Sequence, residues 1–199
     1  MTTSTGSPDH SVETEAVARL ASDLAEVLQA YRPGVGSPQE SVRDEIEAWV
    51  AQRPHAVLKS GPPAHVTASC LVLDPGLTQV LLTHHRRARA WYQFGGHLEP
   101  TDAGVRAAAA REAAEESGLA GLAVTAAPVQ LDIHTLHGDF GRCERHLDVR
   151  YAAVAPPGAR PAVSAESLDV RWWPIDALPP ETAHELAPLV EAARIVLSQ

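Results

Sequence analysis

One stretch constrains this 199-residue chain more than any other: Gly95 to Leu119, GGHLEPTDAGVRAAAAREAAEESGL. Its glycine pair permits unusual backbone angles and close approach to a ligand. A loop bearing Glu99 follows, then an alanine-rich run of strong helix formers. Asp102 is the expected N-cap, with Thr101 as the alternative, and Gly118 suits a left-handed helix end. Glu112, Glu115 and Glu116 stand at i, i+3 and i+4, so they share one helix face. Like charges so close repel by ~0.2–0.5 kcal/mol per pair on an exposed helix. A divalent cation converts that repulsion into binding. Arg111 is i, i+4 to Glu115 and can hold a carboxylate in place. Hard oxygen ligands suit Mg2+ or Mn2+, ions that clamp phosphate oxygens and lower the pKa of bound water. REAAEE by itself more often describes a solvated surface helix.

The chain around this stretch changes character twice. Residues 1–11 are small and polar, the composition of a disordered tail. Val17, Leu20, Leu24, Leu28 and Tyr31 then recur at helical spacing until Pro33-Gly34. Ser37 as N-cap and Pro38 at the first helical position open a second helix striped by Val42, Ile46 and Val50. The pair reads as a helical hairpin, an extension over residues 12–60 with its acids on a solvated face; homodimer formation is one role open to it. His55 to Pro63 borders the main domain, residues 61–199. There HVTASCLVL, the turn Asp74-Pro75-Gly76 and QVLLTHH read as a β-hairpin. Trp91 to Phe94 is a short strand leading into the glycines. Beyond the acidic helix, Leu122 to Ile133 is strand-like but interrupted by Pro128. His146 to Ala155 and Leu168 to Trp173 are further strands. The tail from Glu181 has a helical period, and Pro188 predicts a kink or break in it. Helices and strands without regular βαβ alternation give an α+β class, a mixed sheet between helices.

Composition narrows the partners. A formal net charge of -9 argues against a nucleic-acid backbone and leaves room for a small anionic ligand held by arginine and metal. Two cysteines are too few for a disulfide framework, and Cys70 in an apolar strand pattern reads as a buried free thiol. The N-terminus lacks the basic and apolar regions of a secretory signal. No apolar run approaches the ~20 residues that span a bilayer. A cytoplasmic protein without a membrane partner is expected.

Read whole, Gly95 to Leu119 resembles the Nudix box of Nudix hydrolases: a glycine, a spaced glutamate, then Arg-Glu-aliphatic-x-Glu-Glu-x-Gly-aliphatic. Gly96 begins it, and Arg111, Glu112, Glu115, Glu116, Gly118 and Leu119 match its second half in register. The interval from Gly96 to Arg111 is one residue longer than the pattern. Asp102 replaces the first-half glutamate, or Ala103 does when counted back from Arg111, and Ala113 stands at an aliphatic position. The resemblance implies an α/β/α sandwich around a mixed sheet. It also implies Mg2+-dependent hydrolysis (Mn2+ as a substitute) of a nucleoside diphosphate linked to another moiety. Carried over by position, Glu112 and Glu116 are metal ligands, Glu115 is a ligand or base, and Arg111 orients a glutamate. The carbonyl of Gly96 and the side chain of Glu99 complete the shell. Members without turnover, which bind or sense a nucleotide ligand, form the alternative, but such domains usually lose glutamates that are all present here.

Outside the box, Arg86, Arg87 and Arg89 are candidates for substrate phosphates, and Trp91 or Tyr92 for stacking on a base. His134, His137 and His146 surround a loop, GDFGRC, with a spacing that is no specific metal signature; His134 is the candidate substrate contact. Glu166 is favoured over Asp139 and Asp148 as a late-loop metal ligand. For the substrate subclass, His85 stands where the CoA-type signature expects arginine, and His134 where some ADP-ribose-cleaving members have proline. The diadenosine-type tyrosine is also absent.

Overall fold

The apolar stripes of both N-terminal helices converge on one face of a mixed sheet. The computed structural model describes residues 8–136, 141–165, 167–182 and 185–199. Helix α1 (Pro8–Ala30) begins inside the stretch expected as a tail. Its Leu20, Leu24 and Leu28 are at most 1% exposed, and burial of each such side chain is worth ~1.5–3 kcal/mol. Helix α2 (Pro38–Gln52) starts as its sequence dictates: the Ser37 side chain accepts from the Gln39 N–H, and Pro38 lies at the helix start. Ile46 and Val50 of α2 are buried in the same apolar cluster as the three leucines.

Among the described residues eight strands form one mixed sheet. They are β1 (Ala64–Leu73), β2 (Gln79–His85), β3 (Trp91–Tyr92), β4 (Phe94–His97), β5 (Ala123–Val124), β6 (Gln130–Thr135), β7 (Arg145–Val154) and β8 (Ser167–Pro174). The β1–β2 turn is held by Asp74, whose carboxylate accepts from the N–H groups of Gly76, Thr78 and Gln79. Strand β1 is central and runs parallel to β7 along its whole length, Ala64 opposite Arg145 through Leu73 opposite Val154. Its other edge is divided: Thr67 to Cys70 pair with β4, Val72 and Leu73 with β2. Strand β7 is divided likewise between β6 and β5, with Pro128 in the gap between those two strands.

Helix α3 (Val105–Ser117) joins α1 and α2 on one face, where Ala108, Ala109 and Ala113 pack with Val66, Ala68 and Cys70. Helix α4 (Leu186–Leu197) covers the other, with Leu186, Leu189 and Val190 against Leu71, Leu73, Val80 and Leu82. The molecule is therefore an α/β/α sandwich of the α+β class. Pro188 neither kinks nor breaks α4. It falls in the first turn, where a backbone N–H has no intrahelical partner to lose.

Candidate active site

The glycine pair lies inside β4, not in a loop after a strand, and both residues are there for lack of a side chain. A Cβ on Gly96 would come within 2.6–2.9 Å of the Glu112 carboxylate, and one on Gly95 would sit 2.4 Å from the Ser69 Cβ. The Gly95 N–H donates to Glu116 at 3.1 Å. Two carboxylates of α3 are thus laid against the β4 backbone. Glu116 is only 7% exposed. Glu115 turns outward, its side chain 61% exposed against 15% for Glu112. The helix stops at Gly118, whose φ of +70° is a left-handed cap.

Arg111 gathers the acids. Its guanidinium holds Asp102 through two bonds, Nε to Oδ1 at 2.9 Å and Nη2 to Oδ2 at 3.0 Å. Nη1 lies 2.9 Å from Glu112, 3.2 Å from Glu115 and 4.0 Å from Glu99. Nη2 also donates to the His97 carbonyl at 3.0 Å. The Asp102 hydrogen bonds, with help from Glu112, raise the Arg111 pKa above its ordinary value, so the cation is fixed.

Asp102 is not the helix N-cap. It is buried, and besides Arg111 it accepts from the Glu99 N–H at 2.7 Å. The N-cap is Gly104, and the cap group comes from α1: Asp23 Oδ2 accepts from the Val105 N–H at 2.6 Å. A Cβ on Gly104 would come 2.5 Å from that carboxylate. Arg19, one helical turn before Asp23, donates to the carbonyls of Pro100 and Asp102. The N-terminal extension therefore frames the box loop and the head of α3, a role its own sequence did not announce.

A cleft of about 1250 Å3 opens where β4 and β2 part along β1. Gly95, Gly96 and Glu116 line one side; Thr83, His85 and Tyr92 line another. Its floor is a polar stripe across three strands. Register sets His65 beside His146 and His134, Thr67 beside Asp148 and Asp132, and Ser69 beside Arg150 and Gln130. Asp148, 3% exposed, accepts from Thr67, Ser69 and the Arg150 Nε. Arg150, 1% exposed, also reaches Gln130 at 2.9 Å and Asp132 at 2.8 Å. Thr67, Ser69 and Arg150 carry no motif that marks them in the sequence. The signal was there: polar residues alternate in HLDVR and in HVTAS, and only their pairing was hidden.

His134 joins this network through Asp132, Nδ1 to Oδ2 at 2.7 Å. Burial pushes its pKa down, but Asp132 and Asp148 outweigh burial and the result is raised. Burial also dominates at His65, His97 and His146, and there it wins: His97 falls to about 3 and His146 to about 4.

Of the phosphate candidates, Arg87 lines the cleft. Arg86 is spent on the carbonyls of Ala165 and Ser167. Arg89 is exposed in the turn after β2, its N–H bonded to the His85 carbonyl. Trp91 is 6% exposed, part of the α4-side core, and stacked on His84 at 4.9 Å. Tyr92 is the aromatic residue on the cleft. His134 lines the cleft, as does His146. His137, Asp139 and Glu166 lie outside the described residues.

Comparison with known proteins bears on the family and the fold. A family model described as NUDIX domain matches residues 63–193. No curated protein matches the sequence. The E. coli dihydroneopterin triphosphate pyrophosphohydrolase superposes with a TM-score of 0.56 at 16% identity, over 67% of this chain and 96% of that one. For the C. elegans Ap4A hydrolase in a binary complex the TM-score is 0.55 at 17% identity, over 67% and 97%. The NUDIX domain of Shewanella oneidensis NrtR, complexed with ADP ribose, gives 0.52 at 18% identity over 87% of this chain and 97% of that domain. At these identities the likeness is one of fold.

Proposed function

Because this chain belongs to the Nudix hydrolase family, we propose that it hydrolyses a phosphoanhydride in a nucleoside diphosphate linked to another moiety, with Mg2+ as cofactor and Mn2+ as a substitute. One observation carries this reading. The carboxylates of Glu99, Glu112 and Glu115 all approach a single guanidinium nitrogen of Arg111 within 4.0 Å. Beside that cluster Glu112 and Glu116 are laid against the β4 backbone at Gly96 and Gly95, so more carboxylates converge there than one guanidinium neutralises, and a hard divalent ion suits the excess charge. Glu112, Glu116 and the Gly96 carbonyl would hold that ion, with Glu99 and Glu115 beside them and Glu166 as a further candidate. When bound, it supplies charge neutralisation for phosphate oxygens and a lowered pKa for water.

The chain's own groups do the rest. Arg111, anchored on Asp102, keeps Glu112 and Glu115 in place without titrating. Glu115, the outward-facing acid of the helix, has access to solvent and can take a proton from attacking water. Arg87 offers positive charge to substrate phosphates in the cleft, His134 offers a ring N–H beside it, and Tyr92 offers a ring to a base. Arg86, bonded to the carbonyls of Ala165 and Ser167, and Trp91, packed in the α4-side core, support the cleft wall, and the exposed Arg89 remains available to a substrate that extends beyond the cleft. Two unpaired cysteines suit the cytoplasm, and no described helix is long and apolar enough to cross a membrane.

A second reading is ligand binding with little turnover, favoured by the ADP-ribose-bound NrtR domain that aligns over most of this chain. Incubation with NDP-sugars, dinucleotides, NTPs and CDP-alcohols in heavy-oxygen water separates the two. Hydrolysis predicts Mg2+-dependent products and heavy oxygen on one phosphorus. Saturable binding without product would support the sensor instead.

A further inference from the structure

At one end of the polar stripe lie four side chains that the hydrolytic reading leaves unused: His65 on β1, His97 at the end of β4, Cys143 just before β7 and His146 on β7. One donor atom from each lies within 4.8 Å of the other three. Ring centroids are 4.9 Å apart for His65 and His97, and 5.3 Å for each of the other two histidine pairs. Cys143 Sγ is 3.7 Å from His97 Nε2. Zn–N bonds of ~2.0–2.1 Å and a Zn–S bond of ~2.3 Å put tetrahedral ligand atoms about 3.3–3.6 Å apart. The cysteine–histidine spacing is already close to that, and the other separations, all within 4.8 Å, close by up to ~1.5 Å on binding.

A second, independent observation points to a ligand. His65 is 1% exposed, and its Nδ1 is bonded to the Pro62 carbonyl at 2.9 Å. A carbonyl only accepts, so Nδ1 carries the proton and Nε2 presents a lone pair. That Nε2 is buried without a hydrogen-bond partner, and so is Nε2 of His146. Buried polar atoms are costly when unpartnered, and two of them in one cluster of donors call for a shared partner. An N–H donated to a backbone carbonyl from the far ring nitrogen is also the contact that orients metal-bound histidines.

We propose that His65, His97, Cys143 and His146 form a second metal site, taking a borderline divalent transition metal, Zn2+ foremost, in a tetrahedral shell of three imidazoles and one thiolate. Its ligands differ in kind from the carboxylates of α3, and this difference in softness keeps the two metals apart. On binding, the Cys143 thiol releases its proton to solvent and its sulfur lone pair forms the bond to the metal, without redox change. Four protein ligands close the shell, so the role is structural. The metal ties β1, β4 and the entry to β7 together beside the box. His97 follows Gly96, and its carbonyl accepts from Arg111, so the metal also fixes the exit of β4 into the acidic loop.

The test uses the purified full chain, stripped with chelator and titrated with Co2+ in Mg2+ buffer. Wild type is expected to show tetrahedral visible absorption with a thiolate-to-cobalt charge-transfer band, and Zn2+ is expected to displace the Co2+. Cys143→Ser should lose the band and weaken binding at least ~10–100-fold, the loss that removing even an outer partner of a ligand brings. His146→Gln, checked for folding by circular dichroism, should weaken binding likewise. The double variant Glu112→Gln/Glu116→Gln should keep the band. Absence of the band in wild type, its survival in Cys143→Ser, or its loss in the glutamate variant overturns the proposal. Hydrolysis enters none of these readouts, so the two metal assignments stand or fall separately.

Discussion

Asp23→Ala should destabilise helix α3 from another element. The Asp23 carboxylate accepts from the Val105 N–H at 2.6 Å, at the head of α3, where Gly104 has no side chain to do so. Removing a capping oxygen costs ~0.5–2 kcal/mol. Removing a negative charge from a helix N-terminus costs ~0.3–1 kcal/mol, partly the same interaction. Together these give about 1–2 kcal/mol. For a chain of this size each kcal/mol moves Tm by ~2–4 °C, so Asp23→Ala should melt about 2–8 °C below wild type. Asp23→Asn keeps the acceptor and should recover most of the loss. Thermal unfolding at pH 7, followed by circular dichroism, measures both. Equal melting of Asp23→Ala and wild type would refute the cap, as would an asparagine variant as damaged as the alanine one.

Three further expectations follow from the same geometry. Arg150→Met leaves Asp148 and Asp132 without their buried counter-ion and should cost ~3–5 kcal/mol in urea unfolding; a loss under ~1 kcal/mol contradicts the network. His134 should titrate above its ordinary 6.5 in NMR and fall in Asp132→Asn, because Asp132 and Asp148 outweigh burial and Arg150. Since the folded pKa is the higher one, the ion pair's contribution to stability is full below the unfolded value and fades as pH rises through the folded one. A chain starting at Ala64 should fail to fold, since Leu20, Leu24, Leu28, Ile46 and Val50 share the core of the sheet; a stable truncated domain would show the extension to be an independent module, and sizing both forms would then test it for dimerisation.

Much of this molecule was legible because its signals are local. The stripe of Leu20, Leu24 and Leu28, the Ser37-Pro38 helix start, the Asp74 turn and the Gly118 stop each depend on residues within a few positions. The second half of the box was legible in part: the i, i+4 spacing puts Glu112 and Glu116 on one face, but does not show that Glu115 turns outward from it. What stayed hidden depends on pairing between distant strands and helices. The sequence suggests Asp102 as a cap because it precedes a helix, yet Arg111 claims it and Asp23 arrives from α1 to do the capping. Trp91 and Tyr92 are neighbours of opposite fate: strand alternation sends one into the core and leaves the other on the cleft. His65, His97, Cys143 and His146 are scattered in sequence, and only the parallel β1–β7 register and the β4 pairing bring them together.

The most direct test of the central assignment is the Mg2+ dependence of phosphoanhydride hydrolysis in wild type, Glu112→Gln and Glu116→Gln, measured on the best substrate of the screen. Each substitution keeps the side chain's size and removes one charged oxygen ligand. Wild type should require Mg2+, and each variant should lose at least ~100-fold in rate, the upper range for disturbing even an outer partner of a metal ligand, while keeping the wild-type far-ultraviolet spectrum. Wild-type rates in both variants, or hydrolysis that persists unchanged without divalent ions, would contradict the assignment of α3 as the metal-binding helix.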